Sequence, residues 1–442
     1  MRILLINGGF GTENDNNHIL TLAMYHIGGV LREAGHFIEI IDPDLYIQDN
    51  NSTSLIEKII NMSRDKEAVA ISVNTFTWSY VKKYVEELRK NDYNNSIILG
   101  GVHPSRLGEY LLKTTPIDYI VKGDSETTLP QLIHAIESGN ELTDVKGIIF
   151  RSGEEIVETP DAINREFDNE IPFPAYDLVP SGVYDSFTIE SSRGCSGNCS
   201  FCSILSKKCW RGYSVDIAVE RTFRAVKEMK DKVSSKSIVF TDDHFFENKG
   251  RAIEILDRLY KTDISNYALL VESKLKVLKD EKILNAIKKY PRISVQVGVE
   301  SGYDEGLIKI KKGILRKDIF DVAEIILENQ LNTNVFFSFI IGFPWETKDK
   351  ILLTLKTLGA LVCDYNITVN CSWWLPLPSP EFEILRSMQP EIDESLFDSA
   401  TWMTSREVFL KAHPLINEKE YDEINGVIES FSEFGYDLKI PS

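Results

Sequence analysis

The 442-residue sequence predicts an α/β protein: a doubly wound parallel sheet, then a partial (β/α)6 barrel and a small helical C-terminal extension. Short apolar runs alternate with amphipathic stretches over residues 1–147 and again over residues 186–380, which is typical of parallel strands covered by helices. A proline-containing linker, residues 148–185, separates the two regions. The final segment, residues 381–442, mixes aromatic and charged residues and predicts a helical cap.

The charge balance excludes several classes of partner. The chain carries 67 Asp and Glu residues against 49 Lys and Arg, a formal net charge of −18, so nucleic acids and anionic membranes would repel it. The N-terminal apolar run, Ile3–Ile6, is too short for the core of a signal peptide. No run approaches the roughly 18 apolar residues of a membrane span. We therefore expect a cytoplasmic protein that binds neither nucleic acid nor membrane.

The first domain predicts five parallel strands, as in flavodoxin-like folds. The strand candidates are Ile3–Ile6, Phe37–Ile41, Val69–Val73, Ile97–Leu99 and Tyr119–Val121. Ligands of such sheets bind in the loops after the strands, and these loops are rich in small and polar residues. The candidate ligand-binding residues are Gly8, Gly9, Ser72, Asn74, Thr75, Gly100, Gly101, His103 and Gly123. Ordinary turn chemistry explains any one loop, but four at one edge favour a ligand or a domain interface.

Neither the Gly-x-Gly-x-x-Gly dinucleotide pattern nor the Walker phosphate loop occurs in this domain. The domain instead resembles cobalamin-binding domains, which carry a serine after the third strand and a Gly-Gly pair after the fourth. Ser72 and Gly100-Gly101 stand at these places, which implies that they hold the nucleotide tail of cobalamin. The Asp-x-His-x-x-Gly motif of that family is absent. The resemblance thus implies a cobalamin without a histidine lower ligand, or a domain that has lost the cofactor.

Three of the six cysteines form a compact motif, Cys195-x3-Cys199-x2-Cys202. Thiolates this close in sequence are typical of iron–sulfur ligation, and three of them leave one iron of a [4Fe–4S] cluster open. Structural zinc would need a fourth ligand, and Cys209 lies beyond the usual spacing, while His244 would serve only if folding brought it close. A redox Cys-x-x-Cys pair would leave Cys195 without a role. The spacing therefore favours a cluster.

The cysteine motif resembles that of the radical S-adenosylmethionine (radical SAM) enzymes. The resemblance implies that the open iron binds S-adenosylmethionine, and that one electron then cleaves it to a 5′-deoxyadenosyl radical. It also implies an electron donor such as flavodoxin or ferredoxin. Phe201 matches the aromatic residue that lies beside the adenine in this family.

The strands after the cysteines predict the rest of the barrel, whose site lies at the carboxyl ends of the strands. The strand candidates are Ser237–Thr241, Tyr267–Glu272, Ile293–Val299, Asn334–Ile341 and Thr368–Trp374, which follow a first strand at Ser186–Glu190. The family resemblance implies contacts with S-adenosylmethionine at the ends of these strands. The implied residues are Asp242, Asp243, Glu272, Lys274, Glu300, Ser301, Ile341, Gly342 and Phe343. Helix capping is the alternative role for Asp242 and Asp243.

The other cysteines, Cys209, Cys363 and Cys371, lack the pattern of an auxiliary cluster, and we expect them to be buried free thiols. The absence of cysteines before Cys195 argues against methylthiotransferases, which hold a second cluster there.

Three functions are compatible with the sequence. The leading prediction is a cobalamin-dependent radical SAM methyltransferase that acts on an unactivated carbon of a small molecule or peptide. The second keeps the radical chemistry but performs rearrangement, cyclisation or oxidation, with or without cobalamin. The third is a cobalamin carrier or sensor, although a mere scaffold would have no use for an open iron.

Overall fold

The protein, represented by a computed structural model, is described over residues 1–8, 18–47, 52–162 and 171–432. It divides into two compact units. Unit 1 comprises Met1–Thr188, Arg224–Ser235 and Glu394–Ala400. Unit 2 comprises Ile189–Phe223, Lys236–Asp393 and Thr401–Ser442.

Unit 1 is built on a sheet of buried parallel strands. Its strands are β1 (Arg2–Ile6), β2 (Ile19–Leu20), β3 (Phe37–Ile41), β4 (Ala68–Ser72), β5 (Ser96–Gly100), β6 (Tyr119–Val121), β7 (Ile148–Ser152), β8 (Glu155–Glu158) and β9 (Ser186–Ile189). Its helices are α1 (Leu22–Glu33), α2 (Asp44–Ile47), α3 (Ser52–Ser63), α4 (Trp78–Lys90), α5 (Val102–Thr114) and α6 (Ser125–Ser138). The main sheet has the order β3-β1-β4-β5-β6-β7-β8. The doubly wound arrangement predicted from the sequence is confirmed.

The central strands carry apolar side chains on both faces because helices cover both sides of the sheet. Ile3 and Leu5 of β1 are fully buried and pack in one cluster with Ile98 of β5. β7 and β8 form an antiparallel hairpin that extends the sheet beyond β6. This hairpin lies in the segment that the sequence assigned to the linker. Its strands escaped notice because only the first half of β7 is apolar and buried.

Unit 2 contains the barrel strands. The remaining strands are β10 (Ser192–Arg193), β11 (Arg211–Gly212), β12 (Ser237–Phe240), β13 (Ala268–Lys274), β14 (Ile293–Glu300), β15 (Val335–Ile341) and β16 (Thr368–Trp373). The remaining helices are α7 (Val215–Met229), α8 (Lys249–Tyr260), α9 (Glu281–Lys289), α10 (Asp304–Lys309), α11 (Arg316–Glu328), α12 (Lys348–Tyr365), α13 (Pro380–Met388), α14 (Arg406–Ala412) and α15 (Glu418–Ser432).

Strands β12 to β16 lie side by side in chain order, and all of them are parallel. The end of β9 joins them, because Thr241 N–H donates a hydrogen bond to Ile189 O at 2.8 Å. Two of the intervening helices begin at residues whose side chains cap them. Asn248 accepts from the backbone N–H of Arg251 before α8, and Asp280 accepts from that of Lys282 before α9. All these strands therefore end at the same edge, where the candidate site lies.

Candidate functional site

The three cysteines of the motif lie on one loop whose ends are held together. Strands β10 and β11 pair antiparallel and close the loop at its base. Further along, Lys208 N–H donates to Cys195 O at 2.8 Å. Cys195, Cys199 and Cys202 are all half-buried, and each is a free thiol. The loop therefore presents three unpaired sulfur atoms from a closed hairpin.

The three thiols suit a cluster better than a single metal ion. Within the described ranges, no three His, Cys, Asp or Glu side chains converge on a site for one ion. A [4Fe–4S] cluster does not require that convergence, because each thiolate binds a different iron. Burial raises the pKa of the Cys199 and Cys202 thiols, while the ammonium of Lys312 opposes the rise at Cys199. Gly197 N–H donates to Cys195 Sγ at 3.3 Å. The donor set and its surroundings thus fit a cluster.

Two consecutive aspartates after β12 hold the chain that leads into this loop. Asp242 accepts hydrogen bonds from Ser191 N–H at 2.8 Å and Ser191 Oγ at 2.6 Å, and also from Ser192 Oγ. Asp243 accepts from Gly194 N–H at 2.7 Å. Burial raises the pKa of Asp242 to about 6, although the serine donors oppose the rise. Both carboxylates therefore fix the backbone immediately before the first cysteine.

A cavity of about 550 Å³ lies beside the cysteines. Its charged lining residues are Asp243, Glu272, Lys274, Lys276, Glu300, Lys311 and Lys312. Lys312 Nζ donates to Glu300 Oε1 at 3.0 Å, and only 11% and 10% of these side chains are exposed. Lys274 Nζ donates to Ser196 Oγ at 2.8 Å and to Glu247 at 3.2 Å. Side chains of both charges in a sheltered cavity suit a ligand that carries an ammonium and a carboxylate.

Glu272 is the carboxylate in this cavity with the most altered ionisation. Its side chain is accessible from the cavity, yet protein surrounds it on the other sides. Burial raises its pKa to about 7, the negative charges of Asp243 and Glu300 add to the rise, and Lys312 opposes it. A ligand cation at this position would favour the ionised form.

The cavity gathers some of the predicted S-adenosylmethionine contacts and leaves others outside. Those that line it are Phe201, Asp243, Glu272, Lys274 and Glu300. Those outside its lining are Asp242, Ser301, Ile341, Gly342 and Phe343. The backbone N–H groups of Gly342 and Phe343 both donate to Glu346, at 2.7 and 3.1 Å, and Ser301 is fully buried. The Phe343 ring lies 5.9 Å from that of Phe201. The roles assigned to these residues remain predictions.

Four further residues of the cavity wall were not predicted from the sequence. Lys312 belongs to no motif. Gln296, Ser338 and Asn370 interrupt the apolar strands β14, β15 and β16, and this interruption was an available signal. Ser338 pairs in register with Asn370. Ser338 Oγ and Asn370 Oδ1 are buried without a hydrogen-bond partner in the described part of the chain, so this wall offers polar atoms to a ligand.

The other three cysteines lie in different environments. Cys371 on β16 is buried, as expected, and burial raises the pKa of its thiol. Cys209 and Cys363 are exposed, so the expectation of burial was wrong for both. Cys209 follows the cysteine motif on the outer part of its loop, and Cys363 lies on the solvent-facing side of α12.

In unit 1, the candidate loops meet at the carboxyl edge of the sheet. Val73 N–H donates to Gly100 O at 2.8 Å, and Gly123 N–H donates to Ser105 Oγ at 3.1 Å. Gly101 has a φ of +105° and allows this close approach, since a Cβ there would lie 2.6 Å from Val73 O. At Gly123 a Cβ would meet nothing within 4 Å. The edge thus offers an open place that fits part of a cobalamin.

The other candidate residues of this edge are placed differently. Ser72 and Asn74 are half-buried, and Asn74 Oδ1 accepts from Thr77 N–H at 3.0 Å. A Cβ at Gly8 would overlap Ser72 O, so Gly8 serves the packing of the loops. Thr75 is buried. Gly9 lies outside the described residues.

His103 is fully buried beneath the loops. Its Nδ1 lies 3.2 Å from Thr75 Oγ1, and its ring stacks on Trp78 with the centroids 5.5 Å apart. The ring of Phe397 meets His103 edge to face, also at 5.5 Å. Burial lowers the pKa of His103 to about 3, so the ring is neutral at physiological pH.

Phe397 belongs to the distant segment Glu394–Ala400, which is part of unit 1. The next residue, Asp398, accepts hydrogen bonds from Trp78 Nε1, Lys82 Nζ and Tyr110 OH at 2.7 to 2.8 Å. These donors lie on α4 and α5, which follow two of the candidate loops. The segment therefore ties these two helices together.

Comparison with known proteins identifies both halves of the chain. Residues 189–358 match the Radical SAM superfamily, and residues 13–133 match the B12 binding domain. The chain is 31% identical over 353 residues to an uncharacterized methyltransferase of Pyrococcus horikoshii, covering 78% of this chain and 74% of the relative. It is 23% identical to an anaerobic magnesium-protoporphyrin IX monomethyl ester cyclase of Rubrivivax gelatinosus, covering 91% of this chain and 73% of that one.

A solved structure shares the fold over nearly the whole chain. The cobalamin-dependent S-adenosylmethionine radical enzyme OxsB, with aqua-cobalamin and S-adenosylmethionine bound, aligns with a TM-score of 0.72 at 17% identity. The alignment covers 98% of this chain and 71% of that one.

The protein belongs to the radical SAM enzymes that carry an N-terminal B12-binding domain. The cofactors of this family are a [4Fe–4S] cluster, S-adenosylmethionine and cobalamin. In the described ranges, no helix is both long and apolar enough to cross a bilayer.

Proposed function

We propose that the protein transfers a methyl group to an unactivated carbon atom of a small molecule or peptide. The observation that carries the proposal is the cavity of mixed charge beside three free cysteines, in a chain related to a methyltransferase. When bound, the cluster and S-adenosylmethionine supply a carbon-centred radical that abstracts hydrogen, and cobalamin supplies the methyl group.

In this proposal, Cys195, Cys199 and Cys202 hold the cluster. Asp243 and Glu272 bind the ammonium of S-adenosylmethionine, because both carboxylates line the cavity. Lys274 binds its carboxylate from the same wall. Without a ligand, Lys274 is paired with Ser196 and Glu247, so binding exchanges one set of polar contacts for another.

The remaining predicted contacts take supporting roles in the proposal. Phe201 packs beside the adenine, and its ring is backed by Phe343. Gly342 positions this part of the wall through its hydrogen bond to Glu346. In unit 1, the loop edge with Ser72, Asn74, Gly100, Gly101 and Gly123 receives the cobalamin tail. Thr75 and His103 support this edge from beneath.

Isotope transfer tests the proposal directly. The reconstituted protein with hydroxocobalamin is incubated anaerobically with a reductant, a metabolite and peptide extract, and S-adenosylmethionine bearing a trideuterated methyl group. Methyl transfer predicts a product whose mass exceeds that of the unlabelled reaction by three deuterium substitutions. Formation of 5′-deoxyadenosine with products that carry no deuterium would refute methyl transfer while leaving radical chemistry intact.

Cyclisation or oxidation without methyl transfer is the second candidate. The relationship to the cyclase of Rubrivivax gelatinosus, which extends over 91% of this chain, favours it. The same experiment separates the two candidates: cyclisation predicts a product that has lost hydrogen atoms and gained no label. Omitting cobalamin then shows whether that reaction needs the cofactor.

A further inference from the structure

The surroundings of the cysteines are basic in an otherwise acidic chain. The stretch from Ser191 to Val215 contains no Asp or Glu and four basic residues, although the whole chain has a net charge of −18. The stretch from Leu307 to Lys317 contains no acidic residue and five basic ones. Positive charge is therefore concentrated in two segments of unit 2.

The two basic segments lie against each other at the cysteine loop. Lys207 Nζ donates to Cys199 O at 3.1 Å. Ser200 N–H donates to Ile310 O at 3.1 Å, which brings the second segment alongside the loop. The positive charges of Lys207 and Lys311 both act on the buried carboxylate of Glu381. We call the surface formed by Lys207, Lys208, Lys309 and Lys311 the lysine face.

The lysine face is available to a partner. Lys208, Lys309 and Lys311 are exposed, and within the described ranges none of the three has a carboxylate within 4 Å. Two apolar side chains of the same segments are also exposed, Ile308 by 66% and Leu205 by 36%. Unpaired charges around exposed apolar groups are typical of surfaces that bind a partner of opposite charge.

A row of aromatic rings connects the lysine face to the cysteine loop. Lys309 Nζ lies 4.3 Å above the Trp345 ring. The Trp345 ring is parallel to that of Phe343 at 5.3 Å, and Phe343 lies 5.9 Å from Phe201, the neighbour of Cys202. A partner on this face would therefore stand close to the cluster.

We propose that the lysine face docks an acidic electron-carrier protein with a flavin or iron–sulfur centre. The reduced carrier gives one electron to the cluster, so the carrier is oxidised by one electron and the cluster is reduced by one, with no bond formed or broken. Charge complementarity favours this occupant, because positive charge beside the cluster attracts an acidic protein and speeds its association. The proposal rests on the cluster and is independent of whether methyl transfer follows.

Charge reversal tests the proposal on the full-length, cluster-loaded protein. The face variant is K208E/K309E/K311E, and a second variant replaces the same lysines with alanine. The control, K236E/K282E/K356E, reverses three exposed lysines of unit 2 outside the two basic segments. Each protein is reduced anaerobically by an acidic flavodoxin or by reduced methyl viologen, a small cation, and bleaching of the cluster absorbance is followed.

We expect flavodoxin to reduce the face variant about 10-fold more slowly than the wild type at low salt, and the alanine variant to fall between them. The control should stay within about twofold of the wild type, and methyl viologen should reduce the face variant at least as fast as the wild type. Added salt should slow the wild type and leave the face variant unchanged. Equal flavodoxin rates in wild type and face variant, or equal slowing by both reductants, would overturn the proposal.

Discussion

Replacing Asp242 with alanine should open the cysteine loop and prevent assembly of the cluster. The sequence suggested that Asp242 contacts S-adenosylmethionine. In the structure, its carboxylate lies behind the cavity and accepts three hydrogen bonds from Ser191 and Ser192. The two roles predict different defects, because loss of a ligand contact would leave the cluster intact.

The size of the effect follows from the groups that lose their partner. The serine hydroxyls can rotate to other acceptors, but Ser191 N–H is buried and cannot, which costs roughly 1–3 kcal/mol. The partly buried guanidinium of Arg251, which donates to Tyr213 O at 2.6 Å, also loses an opposing charge. A total of about 3 kcal/mol corresponds to more than 100-fold in the equilibrium between closed and open loop.

Iron and sulfide content after anaerobic reconstitution is the measurement. Wild type should hold about four iron atoms per chain, and Asp242→Ala well under half of that. Asp242→Asn keeps an acceptor for Ser191 N–H and should lose less. Glu272→Gln is the matched control, because Glu272 lines the cavity on the next strand and should leave the iron content unchanged. Full iron content in Asp242→Ala, together with weakened S-adenosylmethionine binding, would refute the positioning role.

Three further predictions concern other parts of the site. Because the pKa of Glu272 is about 7 and a ligand ammonium favours the carboxylate, S-adenosylmethionine affinity should rise between pH 6 and 8; an equal rise in Glu272→Gln would contradict this. Asp398→Ala removes the acceptor of Trp78 Nε1 and should weaken hydroxocobalamin binding by about 10-fold in absorbance titrations; Glu391→Ala is the control. Gly342→Ala should lower the midpoint of thermal unfolding, because Gly342 has a φ of +77° and a Cβ would lie 2.3 Å from the Trp373 ring, a strain of about 2 kcal/mol; an unchanged midpoint would contradict it.

The strands of the barrel could be predicted closely because their sequences are strongly apolar and bounded by polar ends. The predicted strand Ile293–Val299 differs from β14 by one residue. The hairpin β7–β8 was missed because Glu155–Glu158 carries acidic residues at both ends and is not buried. Its pairing depends on β6 as a template, which no local pattern reveals.

The site was predictable only in part, for a related reason. Sequence motifs place Asp242 and Asp243 side by side, but successive residues at a strand end point in different directions. One therefore reaches the cavity, and the other supports the loop. Lys312 follows a short helix and enters the cavity through tertiary packing with Glu300. Asp398 stands 320 residues from Trp78 in sequence, a separation that hides their contact from local reasoning.

The position of Asp398 has a consequence for biosynthesis. The sheet strands β1 to β6 leave the ribosome early, and domains generally fold in that order during synthesis. Trp78, Lys82 and Tyr110 must nevertheless wait for Asp398, which is translated some 300 residues later. The nascent N-terminal domain therefore exists for a time with these donors unpaired and the ring of His103 uncovered by Phe397. Stable uptake of cobalamin should thus begin only when almost the entire chain has emerged, and a fragment that ends before Glu394 should bind the cofactor weakly.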